Sequence, residues 1–372
     1  AILQSGMAVS LNPSPEDSRA LKGRGAVSNG TGRYEQLKTE AVYDGWSEEE
    51  DEEPPKLRTT LTRDTTKTII ARNSSPDVPF DRSINPYRGC EHGCVYCFAR
   101  PTHAYLGLSP GLDFETKLFF KPDAARLLER ELRKPKYDCQ VMAMGTNTDP
   151  YQPVEKSLRI TRSILEVLAA FNHPVGIVTK SALMLRDIDI LGPMAKKGLA
   201  QVCVSVTTLD RRLANRLEPR AATPTLRIQT IQALADAGIP CGVMAAPMIP
   251  ALNDAELETI LETARDAGAT LASYILLRLP LEITGLFEEW LETHVPSRAK
   301  HVMSLVRGAR GGKAYDSSFE TRMRGTGEYA AMLKKRFEIA ANRLGFNPED
   351  RNRLDTTLFR PPFERDGQMS LF

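Results

Sequence analysis

The stretch Asn85–Arg100, NPYRGCEHGCVYCFAR, holds three of the six cysteines in this 372-residue chain. Cys90, Cys94 and Cys97 follow the pattern C-x3-C-x2-C, just after the first predicted strand. Thiolates suit iron, and three of them on one loop leave one iron of a four-iron cluster without a protein ligand. A substrate can occupy that open iron. The stretch therefore predicts a [4Fe–4S] cluster bound by these three cysteines.

Structural zinc is the alternative, with His92, His103 or Cys139 as the fourth ligand. A closed zinc site usually combines two pairs of Cys or His ligands, and no second pair is visible in the sequence. The two histidines can equally be hydrogen-bonded structural side chains. The spacing favours the iron–sulfur interpretation over zinc.

Apolar, often β-branched runs alternate with amphipathic stretches from about Ser83 onward. They predict strands at Ser83–Tyr87, Cys139–Met144, Pro174–Thr179, Gln201–Val206, Cys241–Ala246 and Leu271–Leu277. Strands that are apolar on both faces and separated by helices form a parallel sheet covered by helices. We therefore expect an α/β fold, a partial (β/α)6 TIM-like barrel, with a doubly wound open sheet as the alternative. Asn253 and Glu256 predict a capping box at the start of one helix.

The cysteine spacing, with Tyr96 directly before the third cysteine, resembles the signature of the radical S-adenosylmethionine (SAM) superfamily. The resemblance implies that the open iron chelates the amino and carboxylate groups of SAM. It also implies that an electron from the cluster cleaves SAM to give a 5′-deoxyadenosyl radical, and that Tyr96 lies beside the adenine. The fold that it implies, a partial (β/α) barrel, agrees with the strand count.

Within the superfamily, roughly residues 83–280 are similar to the spore photoproduct lyase-like (DNA repair photolyase-like) branch. Besides the cysteine spacing, the matching pieces are Thr179-Lys180, Ser205, Glu218-Pro219, Ala237–Gly242 and Ala246-Pro247. The similarity implies that Lys180 and Ser205 contact SAM. Ligands of β/α barrels bind at the carboxyl ends of the strands, where the chain also offers GTNTDP (Gly145–Pro150) and Arg220. The expected cofactor-binding residues are therefore Tyr96, Thr146, Asn147, Lys180, Ser205 and Arg220.

One position departs from that branch. The lyase returns a hydrogen atom to its product from a cysteine just past the second strand, and this chain has Thr146 there. A hydroxyl O–H bond is far stronger than a thiol S–H bond, so Thr146 is not expected to replace the cysteine as donor. Cys139 lies at the beginning of that strand and is expected to face away from the site. The sequence predicts radical generation but not the photoproduct reaction itself.

Four regions are expected along the chain. Residues 1–60 combine a protease-site remnant, Ala1–Gly6 before Met7, with a mobile, mostly disordered acidic arm that contains the run Glu48–Glu53. Residues 61–282 form the barrel, residues 283–360 a helical C-terminal extension, and residues 361–372 a flexible tail. The absence of an export signal and of a long apolar run, together with isolated cysteines in strand-like stretches, favours a reducing cytoplasm.

The last five residues resemble the peptide by which bacterial replication and repair proteins bind the DNA polymerase sliding clamp. Gln368 would be the polar anchor, and Leu371 and Phe372 the apolar pair. The net charge of +2 rises to +8 when the acidic run is set aside, which is compatible with DNA. A basic stretch offers candidate phosphate contacts at Arg307, Arg310, Lys313, Arg322 and Arg324.

The sequence thus predicts a lyase-like or repair-like radical SAM enzyme that acts on nucleic acid and receives electrons from an external donor. It assigns no catalytic residue beyond the cofactor ligands. Two alternatives stay open. One is the same chemistry on RNA, a protein or a small molecule, and the other is a zinc-stabilised clamp adaptor without catalysis.

Overall fold

The computed structural model describes residues 21–34, 57–348 and 354–362. The strands in these ranges are β1 Thr60–Arg63, β2 Ile70–Arg72, β3 Arg82–Ile84, β4 Tyr87–Arg88, β5 Lys117–Phe120, β6 Met142–Met144, β7 Val175–Thr179, β8 Ala200–Ser205, β9 Cys241–Met248 and β10 Leu271–Leu276. The α-helices are α1 Asp113–Thr116, α2 Ala124–Leu132, α3 Glu155–Leu158, α4 Ile160–Ala170, α5 Ile188–Lys196, α6 Arg211–Leu217, α7 Pro224–Asp236, α8 Leu257–Asp266, α9 Ile283–His294, α10 Pro296–Gly308 and α11 Gly327–Arg343. Short 3-10 helices cover Arg100–Leu106, Ala182–Asp187 and Asp254–Glu256.

The main sheet has seven strands in the order β10-β9-β8-β7-β6-β3-β2. From β3 to β10 all neighbours pair in parallel, and β2 closes one edge by pairing antiparallel with β3. Because strand order follows chain order from β3 to β10, every crossover steps in the same direction. A doubly wound sheet reverses direction at a switch point, which this sheet lacks. The partial (β/α)6 barrel is confirmed, and the doubly wound alternative is wrong.

The two faces of the sheet differ, as β7 illustrates. Val175, Ile177 and Thr179 are buried, whereas the alternating Gly176 and Val178 are partly exposed. Alternate side chains point to opposite faces of a strand. Val175 and Ile177 join a large apolar core with helix residues such as Leu165, whereas Val178 and the terminal Thr179 line the cavity inside the half-barrel. Burial against the outer helices therefore holds the sheet and leaves its inner face free for a site.

The first two strands of the barrel are shorter than predicted. The expected strand Cys139–Met144 is reduced to β6, and Ser83–Tyr87 is replaced by β3. The register pairs the three residues of β3 with the three of β6, from Arg82 opposite Met142 onward. A strand extends only as far as its neighbour offers hydrogen bonds, so Cys139 lies before the sheet begins.

The predicted capping box is wrong. Asn253 instead accepts a hydrogen bond from the Ile249 amide at 2.6 Å and donates to the Thr207 carbonyl at 2.6 Å. Glu256 accepts from the Thr208 hydroxyl at 2.6 Å. Both side chains thus link the segments that follow β8 and β9 at the carboxyl edge of the sheet, where they stabilise the loops around the site.

Part of the N-terminal interval that was predicted as a disordered arm is packed into the fold. Arg24 and Ala26 are buried, and the Arg24 guanidinium donates to the Glu115 carbonyl at 3.0 Å. A small sheet of order β1-β5-β4 lies in the same region. The acidic run Glu48–Glu53 lies outside the described residues. Residues 21–34 of the predicted arm are therefore ordered, because the amides of Gly25 and Ala26 complete the buried ion pair described below.

The C-terminal extension is helical, formed by α9, α10 and α11. Phe359 follows it and packs against Tyr137, Phe171 and His173. The Pro362 carbonyl accepts a hydrogen bond from Arg133 at 3.0 Å. The clamp-binding residues Gln368, Leu371 and Phe372 lie outside the described part of the chain. Among the described residues, no helix has the length and apolar character to cross a membrane.

Gly145, directly after β6, gives the fold a sharp test. Its φ is +83°, and a Cβ placed there would lie 1.9 Å from the Val178 carbonyl oxygen. We expect Gly145→Ala to lower the free energy of unfolding by more than about 1 kcal/mol, because neither the backbone conformation nor the space accepts a methyl group. The measurement is thermal unfolding followed by circular dichroism.

Gly176→Ala is the matched control, since a Cβ on Gly176 would meet nothing within 4 Å. Its unfolding midpoint should equal or exceed that of the unsubstituted protein. If the two substitutions destabilise the protein equally, the described close contact between Gly145 and the Val178 carbonyl is wrong.

Candidate active site

A cavity opens at the carboxyl edge of the main sheet, inside the half-barrel. Its wall combines the loop after β3 with the segments at the ends of β6, β7, β8, β9 and β10. It brings together all but one of the predicted cluster-binding and cofactor-binding residues: Cys90, Cys94, Cys97, Tyr96, Thr146, Asn147, Lys180 and Ser205. The expectation that the strand ends meet at one site is met for these residues.

The three cysteines of the loop are free thiols that line this cavity. Gly89 and Gly93, with φ of +77° and +69°, precede Cys90 and Cys94 and provide the left-handed turns that curl the loop around the cavity. Burial raises the pKa of all three thiols. A bound metal removes the protons of such thiols. Three thiols on one loop therefore fit the ligand set of an iron–sulfur cluster.

Arg100 holds the loop from behind. Its side chain is fully buried and donates to the Cys94 carbonyl at 2.8 Å and to the Gly111 carbonyl at 2.9 Å. It also forms a buried ion pair with Glu115 at 2.5 Å. The Glu115 carboxylate also accepts hydrogen bonds from the Ala26 amide at 2.8 Å and from the Gly25 amide at 3.0 Å. The pair is therefore completely satisfied, which is the condition under which a buried ion pair is tolerated.

The three candidate fourth ligands of a zinc site, His92, His103 and Cys139, lie in different surroundings. His92 lines the cavity, and its Nδ1 lies 3.4 Å from the Asp149 carboxylate. His103 contacts the Lys117 carbonyl through Nε2 at 2.9 Å and packs edge-on against Phe114. Cys139 precedes β6, away from the carboxyl edge. Among the described residues, no group of three or more Cys, His, Asp or Glu side chains is placed to hold a single metal ion.

The cavity wall also carries Lys180, close to the cysteine loop. Its Nζ donates to the Ser205 hydroxyl at 2.6 Å and lies 3.3 Å from the carboxylate of Glu218. It also lies 5.8 Å from the centre of the Tyr96 ring. Burial lowers the pKa of Lys180 to about 8. The ammonium is therefore held at a fixed place in the cavity by Ser205 and by the charge of Glu218.

Glu218 is the centre of a buried polar network. It accepts hydrogen bonds from the Tyr96 hydroxyl, from Thr207 at 2.6 Å and from the Arg227 guanidinium. Burial raises its pKa even though Arg227 acts in the opposite direction. Arg227 and Lys180 together bring two positive charges to one carboxylate. The network therefore has capacity for a further anion in the cavity.

The GTNTDP segment is held in place by its one carboxylate, that of Asp149. Asp149 accepts from the Lys180 amide at 2.7 Å and from the Thr179 hydroxyl at 2.8 Å. Burial opposes its ionisation, but His92 and these bonds outweigh burial and lower the pKa of Asp149. Earlier in the segment, the Asn147 amide donates to the Asn85 side chain at 3.2 Å. The polar groups of this segment therefore reach the cavity on a rigid frame.

Arg220 is the exception among the predicted cofactor-binding residues. It is absent from the cavity wall and forms an ion pair of 3.1 Å with Glu91, whose side chain is buried. The Arg220 amide also donates to the His92 carbonyl at 3.3 Å. In this structure the charge of Arg220 is thus paired with Glu91 outside the cavity wall, and binding of the cofactor by Arg220 stays a prediction.

The basic stretch also differs from its prediction as a set of phosphate contacts. Arg310 is buried and donates to backbone carbonyls, including that of Leu277 at 2.7 Å. Arg307 pairs with Glu288, and Arg322 pairs with Asp77. Arg324 stacks on the Tyr274 ring, 4.0 Å from its centre. Arg310, Arg322 and Arg324 therefore attach the C-terminal extension to the barrel, whereas the Arg307 pair links α9 to α10 within the extension.

Sequence reasoning missed the roles of several residues in or beside the cavity. Asp149 was considered only as one polar group of GTNTDP, and Glu218 only as a neighbour of Arg220, yet both hold predicted residues in place. Arg278 and Phe98 were not singled out at all, although both line the cavity. Arg278 follows β10, so its place after the last strand of the sheet was the signal that could have identified it.

Comparisons with known proteins agree with this architecture. Residues 84–264 match the model of the Radical SAM superfamily. An uncharacterized protein of Mycobacterium tuberculosis is 36% identical over 274 residues, which cover 73% of this chain and 79% of that protein. An uncharacterized protein of Methanocaldococcus jannaschii is 28% identical over 173 residues, or 46% of this chain and 62% of that protein.

Solved structures show the same fold. A variant of spore photoproduct lyase superposes with a TM-score of 0.51 at 16% identity, covering 77% of this chain and 80% of that chain. Spore photoproduct lyase complexed with dinucleoside spore photoproduct gives a TM-score of 0.50 at 15% identity, covering 77% and 79%. At this identity the likeness establishes the fold, which is the partial barrel described above.

Arg100 offers a test of the frame behind the cysteines. We expect Arg100→Gln to lower the free energy of unfolding by about 3–5 kcal/mol, because it leaves the buried Glu115 charge without its partner. The measurement is urea unfolding of the metal-free protein under reducing conditions.

Arg63→Gln serves as the control, since Arg63 forms an exposed ion pair with Asp123. A loss below about 1 kcal/mol is expected there. If Arg100→Gln costs no more than this exposed pair, the ion pair does not hold the loop.

Proposed function

This chain belongs to the radical SAM superfamily, whose enzymes use a [4Fe–4S] cluster and S-adenosylmethionine, and on that premise we propose that it repairs or modifies nucleic acid. One observation carries the proposal for the site. Three free thiols and a buried ammonium group face one cavity at the carboxyl edge of the sheet. Soft donors and a cation in the wall of one cavity match a metal cluster with an anionic, chelating ligand.

In this proposal Cys90, Cys94 and Cys97 bind three irons of the cluster. Lys180 binds the carboxylate of SAM, and Ser205 orients the lysine through the bond between them. Thr146 and Asn147 face the ammonium group of SAM. Tyr96 is held by Glu218 and Thr207, and its ring lines the cavity where the adenine would lie.

When bound, the cluster and SAM supply a one-electron cleavage that yields a 5′-deoxyadenosyl radical. The chain's own residues bind, orient and shield. Asp149 keeps the GTNTDP segment in place, and the apolar wall formed by Val178, Met244 and Ile275 keeps water from the reacting end. An external reductant must deliver the electron. Free cysteines throughout the chain suit a reducing compartment, for which we propose the cytoplasm.

The nucleic-acid substrate is supported by two features. One is the fold, which is shared with an enzyme solved in complex with a dinucleoside photoproduct. The other is the tail, which we propose binds the sliding clamp through Gln368, Leu371 and Phe372. Surface plasmon resonance with the clamp tests the tail, because deletion of these residues should abolish binding. The photoproduct reaction is not part of the proposal, since Thr146 stands where the lyase has its donor cysteine.

RNA, a protein or a small molecule would use the same radical-generating site, and substrate trapping separates them. The zinc-stabilised adaptor would instead bind one zinc and generate no radical.

Metal analysis and an activity assay of the anaerobically purified protein distinguish the enzyme from this adaptor. We expect about four irons and four sulfides per chain, and release of 5′-deoxyadenosine when dithionite and SAM are added.

Replacement of Cys90, Cys94 and Cys97 by alanine should abolish both the iron and the 5′-deoxyadenosine. Replacement of Cys139, Cys203 and Cys241 by alanine is the matched control and should leave the iron content unchanged. A colourless protein that binds one zinc per chain would support the adaptor and overturn the enzyme.

Lys180 tests the cofactor assignment. We expect Lys180→Met to weaken SAM binding about 10-fold to 100-fold, because a charge-assisted bond to the carboxylate contributes about 1.5–3 kcal/mol. Equilibrium dialysis of labelled SAM against the reconstituted protein measures the effect, with iron content as the check on assembly.

Lys197→Met is the control, because Lys197 is exposed and pairs with the side chain of Asn172. It should leave the affinity for SAM unchanged. Unaltered SAM binding by Lys180→Met, with a full complement of iron, would remove Lys180 from the cofactor site.

A further inference from the structure

Arg278 and Phe98 form a pair in the wall of the same cavity. Phe98 directly follows Cys97, and Arg278 follows the end of β10 by two residues. The guanidinium carbon lies 4.9 Å from the centre of the Phe98 ring. The ring is 44% exposed, in contrast to the buried Tyr96 two positions earlier. The pair therefore presents an aromatic surface and a cation together, next to the cysteine loop.

The charge of Arg278 has no counterpart in the described part of the chain. No ion pair involves it there, its Nε is buried without a hydrogen-bond partner, and one Nη contacts only the weak acceptor Met323 sulfur, at 3.4 Å. The nearby carboxylate of Asp77 is occupied by Arg322 through two bonds of 2.6 Å. Burying part of a guanidinium without an anion is costly, so the structure leaves a place for one.

A second cation strengthens the positive potential. Arg310 is buried close to Arg278, and burial together with the charge of Arg278 lowers the pKa of Arg310. Its two terminal nitrogens donate to the carbonyls of Leu276 and Leu277 and to those of Thr321 and Arg322, whereas its Nε, like that of Arg278, is buried without a hydrogen-bond partner. Arg310 does not line the cavity, so it adds positive charge behind Arg278 rather than a second contact for the ligand.

The anion at Arg278 is distinct from the one at Lys180. Lys180 follows β7 and Arg278 follows β10, three strands away in the sheet. At about 4.8 Å per strand, the ends of these two strands are separated by roughly 14 Å along the curved sheet. Lys180 is also engaged by Ser205 and Glu218, whereas Arg278 is not engaged by any carboxylate in the described residues. Two cations that follow different strands of the same cavity suit two anions, one of the cofactor and one of the substrate.

We propose that Arg278 binds a phosphodiester group of the substrate and that the exposed ring of Phe98 stacks on the adjoining base, so that a single-stranded or flipped nucleotide is held beside the cysteine loop. This inference rests on the proposed nucleic-acid function and adds the residues that recognise the substrate. A guanidinium binds phosphate through a planar fork, and an aromatic ring stacks on any base. A peptide carboxylate would satisfy the charge of Arg278 but would leave the ring of Phe98 without a planar partner.

The experiment measures binding of a fluorescein-labelled single-stranded dodecathymidylate to the anaerobically reconstituted holoenzyme with SAM, by fluorescence anisotropy at several salt concentrations. For Arg278→Gln we expect affinity to fall at least about tenfold and the slope of log affinity against log salt to shrink by about 0.7, because one phosphate contact is lost. Arg278→Lys should keep the slope but bind more weakly than the unsubstituted protein, because it loses the fork.

Phe98→Leu separates stacking from charge. Affinity should fall about fivefold to 100-fold with the salt slope unchanged, because a stacked base is lost but no phosphate contact is. Arg63→Gln, an exposed arginine on β1, is the control and should bind as the unsubstituted protein does. Iron content and the unfolding midpoint of each variant confirm that it is assembled.

The outcomes separate this inference from the proposed function. If the unsubstituted holoenzyme binds the oligonucleotide and Arg278→Gln matches it in affinity and slope, the assignment of Arg278 is wrong and the nucleic-acid proposal stands. If the unsubstituted holoenzyme ignores the oligonucleotide but binds an acidic peptide through Arg278, the nucleic-acid substrate itself is wrong.

Discussion

The buried ion pair between Arg100 and Glu115 is the interaction on which the site depends. Two full charges inside a protein are tolerated only when every donor and acceptor around them is used. Here the arginine also binds the carbonyl of Cys94, and the carboxylate also receives the amides of Gly25 and Ala26. The requirement to satisfy both charges thus fixes the cysteine loop and, at the same time, draws an N-terminal segment into the fold.

The winding of the sheet explains why so many separate segments meet at the cavity. Because β3 to β10 follow one another in a single direction, their carboxyl ends form one continuous rim. The cysteine loop, Lys180 and Arg278 occupy three positions along that rim. Each carries a different chemistry: soft donors for a metal, a paired cation and an unpaired cation. A radical enzyme needs to hold a cluster, a cofactor and a substrate in this arrangement, since the radical must form next to the atom that it attacks.

Much of this could be predicted from sequence, for identifiable reasons. The cysteine spacing and the apolar strands are local patterns, so the cluster loop and the six-strand barrel were accessible, and so was Lys180 at a strand end. The departures from expectation share a different cause. Arg220 was expected in the cavity, but a distant glutamate, Glu91, takes its charge. The basic stretch was expected to be free, but Arg310 and its neighbours satisfy carbonyls and carboxylates of other segments. The role of Glu218 also depends on partners far along the chain. Long-range pairing of charges is not written in any local pattern.

The central claim is that three cysteines hold a four-iron cluster with one iron open to SAM. The most direct measurement is the electron paramagnetic resonance spectrum of the dithionite-reduced, reconstituted protein, recorded with and without SAM. The account predicts the signal of a reduced [4Fe–4S] cluster whose g-values change when SAM is added, and no such signal after Cys90, Cys94 and Cys97 are replaced by alanine. A cluster signal that SAM leaves unaltered, or one that persists in the triple variant, would contradict it.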